Sequence, residues 1–202
     1  MSKKATGVIF IVLGAALIVS ALLLLFYNRN DDARAGQEAE TLLAGVEAVL
    51  ESAPETPPPQ EDASAPELPV AEVNGYECAG IIELPTLEIR LPVLAEWDDS
   101  RLKTAPCRQF GAPETDDFVI AGHNYTNHFG KLSNLTAGDP VLFTEMDGTV
   151  NAYAVAEVRT LLPTEVEAVQ NSGYDLVLYT CTRDGQERVA VFCNRTGEST
   201  AQ

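Results

Sequence analysis

The chain has 202 residues, 46% of them hydrophobic, a length that fits one ordinary domain with appendages. Its formal net charge is −17, from 30 acidic and 13 basic side chains. Such a charge repels phosphate backbones and anionic lipid headgroups. It therefore argues against nucleic acid and against anionic membrane surfaces as partners.

The N-terminal segment reads as a membrane anchor. Residues 8–26 carry no charge and no proline, and nineteen helical residues span about 28 Å, close to the thickness of a bilayer's hydrocarbon core. Lys3 and Lys4 precede this segment, which predicts a cytoplasmic N-terminus. We expect residues 1–27 to form a cytoplasmic tip and a single transmembrane helix.

The alternative interpretation is a cleaved signal peptide. Residues 33–35, Ala-Arg-Ala, resemble a small-x-small cleavage site, but they lie well past an apolar run that is itself long for a signal peptide. On either interpretation the remainder of the chain is exported, and we expect it to be extracellular.

Residues 28–72 are expected to form an acidic, Pro-rich extracellular stalk. Residues 31–72 contain eleven acidic side chains and one arginine, and residues 54–69 are rich in proline, which predicts an extended spacer. A helical apolar stripe precedes the prolines and indicates either a stalk helix or a weak self-association face. The stripe consists of Leu42, Leu43, Val46, Val49 and Leu50.

Residues 73–202 are expected to be the folded domain. About eight short strand-like runs alternate with turn signals and brief helical segments, such as the segment 128–135. We predict a mostly β fold, in which a closed or nearly closed barrel protects the strand edges. We see no internal repeat.

The last two predicted strands bring a thiol close to a guanidinium. "LVLYTC" ends on Cys181, and "RVAVFC" begins at Arg188 after the polar turn 182–187. If these strands form a hairpin, Cys181 and Arg188 meet at one rim, where a guanidinium favours a thiolate and can hold an oxyanion. Taken alone, Cys181 is more readily explained as a small core residue and Arg188 as a solvated strand end.

One of the two histidines also ends an apolar strand. "DDFVIAGH" closes on Gly122 and His123, and the glycine allows close approach of another group. A surface histidine is the plain alternative, but His128 fits that role better. A thiol, an imidazole and a guanidinium at strand rims would form a cysteine acyl-transfer site.

These motifs together resemble those of sortases, the cysteine transpeptidases of Gram-positive cell envelopes. "LVLYTC" is similar to the Thr-Leu-x-Thr-Cys strand of that family, with conservative changes at its first positions, and "IAGHN" is similar to the family's histidine strand end. The order His, Cys, Arg, the N-terminal anchor and the spacer also match. The resemblance covers roughly residues 78–195.

The resemblance implies an eight-stranded sortase-type β-barrel with short inserted helices. It also implies that the protein cleaves an LPxTG-like sorting motif near the C-terminus of secreted proteins, forms a thioester, and transfers the protein to an amine of the peptidoglycan precursor. Cys181 would be the nucleophile and His123 the general acid. Arg188 would hold the oxyanion and Thr180 would shape the substrate groove, while Arg183 and Arg195 remain rivals for the arginine role.

The motifs also bear on the sortase class and on other families of cysteine enzyme. "GHN" followed by "HFGKLSNL" resembles class B and class D sortases. Papain-like peptidases place Cys before His, and an L,D-transpeptidase needs His and Gly shortly before its Cys. A non-catalytic binding module is the remaining alternative, and it predicts a buried Cys181 far from His123 with no groove between them.

The remaining cysteines predict no metal centre. Their spacings match no zinc signature, and the chain has only two histidines. We therefore expect no metal and no cofactor, and we leave a Cys78–Cys107 disulfide open because the domain is exported.

Overall fold

The structure is a computed structural model that describes residues 3–52, 68–197 and 200–201. The chain divides into two compact units, Met1–Arg34 and Ala35–Gln202. Most of the predicted Pro-rich spacer lies outside the described residues, and the three-part division at residues 27 and 72 stays a prediction.

The N-terminal unit is helical. It belongs to α1 (Lys3–Ser52), a helix that is long and apolar enough to cross a membrane. Large apolar side chains along this unit are exposed, among them Ile11, Leu17, Leu23 and Phe26. One N-terminal apolar helix of this kind fits a single-pass membrane anchor.

The described residues of the second unit form ten β-strands. They are β1 (Ala71–Val73), β2 (Tyr76–Leu84), β3 (Ile89–Leu94), β4 (Cys107–Phe110), β5 (Phe118–Ala121), β6 (Pro140–Glu145), β7 (Thr149–Leu161), β8 (Leu176–Cys181), β9 (Arg188–Arg195) and β10 (Thr200–Ala201). The inserted helices are short: α2 (Glu167–Gln170) and 3₁₀ turns at Pro85–Leu87, Arg101–Lys103, Pro113–Thr115 and Leu132–Asn134.

Eight of these strands close into a barrel. Their order around the ring is β2-β3-β4-β5-β8-β9-β7-β6, and β6 pairs again with β2. The β3–β4 and β5–β8 pairs are parallel and the other pairs of the ring are antiparallel. The short strands β1 and β10 lie outside the ring, on β2 and β7. The predicted closed, mostly β fold is confirmed.

The barrel interior is filled by alternating side chains from its strands. Phe118 and Phe143 are fully buried, and their rings meet edge to face with centroids 4.8 Å apart. Leu176, Leu178 and Cys193 belong to the same buried cluster. On β8 the even-numbered residues thus face inward, which leaves Cys181 on the outer face.

The apolar stripe of α1 packs against the barrel. Leu42 is 2% exposed and Val46 is fully buried, in a cluster with Ile81 of β2 and Leu94 of β3. The stripe is helical, as predicted, but it is neither a free stalk helix nor an open association face. The outer face of β2 and β3 is itself apolar, and burying both surfaces together lowers the free energy of the fold.

The predicted helix 128–135 is mostly turn. Only Leu132–Asn134 is helical, as a single 3₁₀ turn, although Phe129, Leu132 and Leu135 are all buried. Their spacing is three residues at each step, and this is the period at which side chains stack in a 3₁₀ turn rather than in an α-helix.

Candidate active site

The β8–β9 hairpin places Cys181 beside Arg188. The two residues are register partners at the turn end of the hairpin, so their Cα atoms lie about 4.5–5.5 Å apart and their side chains share one face. The turn between them is closed by Thr182, whose N–H donates to the Glu187 carbonyl at 2.9 Å. Both side chains are half-buried, which leaves the thiol open to a reaction partner.

The strand end that carries His123 lies next to Cys181. β5 runs parallel to β8 with Ala121 opposite Tyr179, and the Gly122 N–H donates to the Tyr179 carbonyl at 3.0 Å. Two further residues along each strand bring His123 level with Cys181, on strands about 4.8 Å apart.

A side-chain hydrogen bond fixes the two strand ends together. Asn124 Nδ2 donates to the Thr182 carbonyl at 3.1 Å, and these residues directly follow His123 and Cys181. The imidazole-bearing loop and the thiol-bearing strand therefore hold a fixed relation, as a proton-transfer pair requires.

Gly122 lies under a buried aromatic ring. A Cβ atom at this position would approach Phe129 Cδ2 to 2.5 Å, and Phe129 is fully buried. The Phe129 N–H also donates to the His123 carbonyl at 3.1 Å. Glycine thus permits the close packing that holds the histidine loop against the barrel.

A row of rings connects His123 to α1. The His123 and Tyr125 ring centroids are 4.8 Å apart, and those of Tyr125 and His128 are 5.4 Å apart. His128 is fully buried, and its Nε2 lies 3.4 Å from the Ala35 carbonyl. His128 is therefore an internal residue rather than the surface residue that the sequence suggested, because the part of α1 from Ala35 onward covers this loop.

Two grooves, one mainly apolar and one mainly polar, lie beside Cys181 and Arg188. An apolar groove of about 180 Å³ is lined by Phe110, Leu161, Val166, Tyr179 and Arg188. A polar groove of about 470 Å³ is lined by Thr180, Cys181, Arg183, Lys131 and Asn134. Cys181 thus lines an open groove, contrary to what a purely structural cysteine would do.

A scan against protein-family models matches residues 82–196 to the sortase domain. The match spans more than half of the 202 residues, and it contains the His123 loop, the Cys181 strand and Arg188.

The chain belongs to the sortase family.

Solved structures of sortases share its fold. Sortase C from Streptococcus pneumoniae is 21% identical with a TM-score of 0.56, over 86% of this chain and 98% of that chain. A sortase D5 transpeptidase from Clostridium perfringens is 21% identical with a TM-score of 0.52, over 58% and 78%. Sortase E1 from Streptomyces coelicolor is 20% identical with a TM-score of 0.53, over 59% and 88%.

These similar structures do not indicate the class of this sortase, because they include members of classes A, C, D and E. The resemblance to classes B and D stays a prediction. A search of curated proteins found none that matches the chain.

Of the arginines that could hold the oxyanion in this sortase, Arg195 makes its contacts far from Cys181. It lies seven residues beyond Arg188 on β9, roughly 24 Å along the strand. Its Nη1 donates to Asn151 Oδ1 at 2.6 Å, and Asn151 in turn donates to the buried Glu145 at 2.6 Å. Arg195 therefore holds the opposite end of the barrel together.

Arg188 and Arg183 both remain near the thiol. Arg188 is the strand partner of Cys181, and its Nη1 donates to the Glu187 carbonyl at 3.0 Å. Arg183 is exposed in the turn and lines the polar groove with Cys181. Arg188 has the better-defined position because two paired strands fix its backbone.

The sequence did not identify Tyr179 as part of the site. It lies two residues before Cys181, on the same outer face, and lines the apolar groove with Arg188. Burial raises the pKa of Tyr179 to about 12, so its hydroxyl stays protonated and donates to Gln109 Oε1 at 2.7 Å. Strand alternation alone would have placed Tyr179 beside the thiol.

Thr180 faces the opposite side of β8 from Cys181. It is 3% exposed and lines the polar groove. Within the described part of the chain, its Oγ1 has no hydrogen-bond partner. Over the same residues, no group of three or more His, Cys, Asp or Glu side chains could hold a metal ion.

The other three cysteines of the sortase are enclosed. All four thiols are free, and Cys78, Cys107 and Cys193 are fully buried. Burial raises the pKa of Cys78 to about 11 and the pKa values of Cys107 and Cys193 to about 12. These thiols are therefore protonated at neutral pH and shielded from reagents.

We expect a thiol-alkylating reagent to label Cys181 first in the folded protein. Iodoacetamide at pH 7 should modify Cys181 at least roughly tenfold faster than any other cysteine, because only Cys181 is accessible. Peptide mass spectrometry after short exposure measures the four rates, and the unfolded protein in denaturant provides the reference. Faster labelling of Cys78 or Cys193 would contradict the assignment of the site.

Proposed function

We propose that this sortase cleaves an LPxTG-like sorting motif near the C-terminus of secreted proteins and transfers the protein to an amine of the peptidoglycan precursor. The observation that carries the proposal is the register pairing of Cys181 with Arg188, beside the strand end that bears His123. Thiol, guanidinium and imidazole are the three groups that cysteine acyl transfer requires.

In the first half-reaction the Cys181 thiolate attacks the scissile carbonyl carbon. A C–S bond forms, and Arg188 stabilises the negative charge that develops on the carbonyl oxygen. The C–N bond then breaks, and His123, as imidazolium, gives its proton to the departing amine. The products are a thioester on Cys181 and a neutral imidazole.

In the second half-reaction an acceptor amine attacks the thioester. The new C–N bond forms and the C–S bond breaks, so the electron pair returns to the Cys181 sulfur. His123 takes the proton that the amine loses and is again an imidazolium. Without an acceptor, water would resolve the same thioester, and the enzyme would act as a hydrolase.

The apolar groove suits the apolar part of a sorting motif. Phe110, Leu161, Val166 and Tyr179 line it next to Arg188, so an extended peptide in this groove would have its scissile carbonyl close to the guanidinium. The related sortase E1 from Streptomyces coelicolor was solved with a tripeptide in its active site. Thr180, just before the nucleophile, would shape the neighbouring groove.

The N-terminal helix supports action at the cell surface. α1 is long and apolar enough to span a membrane, and Lys3 and Lys4 precede its apolar segment. Retention of positive charge in the cytoplasm would place the barrel outside the cell. Secreted proteins emerge there, and cell-wall precursors are presented on the same side.

A peptide screen with mass spectrometry tests the proposal. We expect the full chain in detergent micelles to cleave a subset of LPxTG-like peptides. It should gain the mass of the acyl fragment, localised to Cys181. Because the class is open, the library varies the first, third and fourth positions of the motif. Cleavage without any covalent adduct, or no cleavage across the library, would overturn the proposal.

A further inference from the structure

The polar groove beside Cys181 has an unusual charge for this protein. The chain contains 30 acidic and 13 basic side chains. Eleven residues line the groove, among them Lys131 and Arg183, and none of the eleven is acidic. The groove at the thiol is thus a local reversal of the protein's overall charge.

Lys131 and Arg183 have no carboxylate partner among the residues that the structure describes. Other arginines of the barrel domain do: Arg90 pairs with Glu83, Arg101 with Glu96 and Arg195 with Asp116. Asp184 follows Arg183 directly, but its carboxylate accepts hydrogen bonds from Thr182 and Gln186 within the turn.

Most of the remaining lining residues carry hydrogen-bonding side chains, and Val189 is the apolar exception. Ser133 and Asn134 are exposed along one wall. Thr180 is 3% exposed, and within the described residues its buried Oγ1 has no hydrogen-bond partner. A buried hydroxyl without a partner costs free energy unless a bound group supplies one. The groove is therefore suited to a polar, negatively charged molecule.

The two grooves are lined by different members of the reacting pair. Cys181 lines the polar groove, whereas its strand partner Arg188 lines the apolar one. A thioester on Cys181 with its acyl chain in the apolar groove would leave the polar groove open to the attacking amine.

We infer that the polar groove binds the acceptor, and that the acceptor carries an anionic group, a carboxylate or a phosphate, near its reactive amine. This inference rests on the proposed function and adds the charge class of the second substrate. Lys131 and Arg183 bind the anion and orient the amine toward the thioester carbonyl. Attack forms the C–N bond and releases the Cys181 thiolate, and His123 accepts the amine proton.

The test compares pairs of amines in which one member carries an anionic group and the other does not. The full chain in detergent micelles is acylated with a peptide from the screen and offered glycylglycine or its neutral amide, glycylglycinamide. A second pair is 2-aminoethyl phosphate and ethanolamine. Mass spectrometry gives the ratio of transfer product to hydrolysis product for each amine, so differences in acylation rate cancel.

We expect the anionic member of at least one pair to raise the transfer ratio roughly fivefold over its neutral partner, the size of a partly exposed charge interaction. The larger of the two preferences distinguishes a carboxylate from a phosphate acceptor. The preference should shrink at 1 M salt, because salt screens exposed charges. In Lys131→Glu it should disappear or reverse.

Lys103→Glu is the matched control. Lys103 is exposed on the 3₁₀ turn Arg101–Lys103 and does not line the groove, so the same change in net charge should leave the preference at the wild-type value. An acyl-enzyme that transfers equally to neutral and anionic amines, or a Lys131→Glu variant that keeps the preference, overturns this inference alone. Absence of any acyl-enzyme overturns the proposed function, and this inference with it.

Discussion

Replacing Cys181 with alanine is expected to abolish cleavage of every sorting-motif peptide and to remove the acyl-enzyme adduct. The expected loss is complete to the uncatalysed level, because no other accessible thiol lies near the His123 loop and the remaining cysteines are fully buried. Peptide cleavage followed by chromatography, with intact-protein mass spectrometry, measures both effects.

Cys193→Ala is the matched control for this loss. Cys193 lies in the barrel core, on the opposite face of β9 from Arg188, so its replacement should leave the adduct intact and lower stability by about 1 kcal/mol. Cleavage at the wild-type rate by Cys181→Ala would refute the proposed mechanism.

Arg188→Ala is expected to lower the rate of acyl-enzyme formation by about 100- to 1,000-fold, the usual effect of removing one oxyanion donor. The fold should persist, because the side chain is half-buried and its hydrogen bonds within the protein go to carbonyl oxygens of its own turn. Single-turnover kinetics with the best library peptide measures the rate, and circular dichroism with thermal unfolding checks the fold.

Two further variants separate charge from position at this site. Arg188→Lys retains the positive charge but loses the planar fork of donors, so it should recover only part of the rate. Arg183→Ala tests the rival arginine, which lines the polar groove beside Cys181. If Arg183→Ala causes the large loss and Arg188→Ala does not, the oxyanion role belongs to Arg183.

The fold was largely predictable from local patterns. Alternating apolar residues with strong turn signals predicted most of the strands, and eight strands do form the closed ring. The prediction of a helix at 128–135 was wrong in helix type, because a three-residue spacing of buried side chains fits a 3₁₀ turn. The role of the stripe on α1 was also missed, because no pattern within the helix indicates which surface will cover it.

The individual residues of the candidate site were predictable from the sequence, but their arrangement in space was less so. Residues 182–187 form a short polar turn between two alternating strands, so the sequence alone placed Cys181 opposite Arg188. His123 was grouped with Cys181 and Arg188 as a histidine at a strand end, but no local pattern showed that its strand lies next to β8. The two grooves and the part that Lys131 plays in one of them could not be predicted, because the lining residues of each groove come from separate segments of the chain. Tyr179 could have been identified from strand alternation on β8.

The sequence by itself determined the apolar N-terminal helix, the strand-rich domain and the hairpin that joins thiol to guanidinium. These features depend on neighbouring residues, whose spacing sets secondary structure and short turns directly. Only the tertiary structure decided that His123 lies beside Cys181 and that Leu42 and Val46 are buried. The β5–β8 pairing joins strands more than fifty residues apart. Such contacts form only when the closing barrel offsets the entropy of the intervening chain.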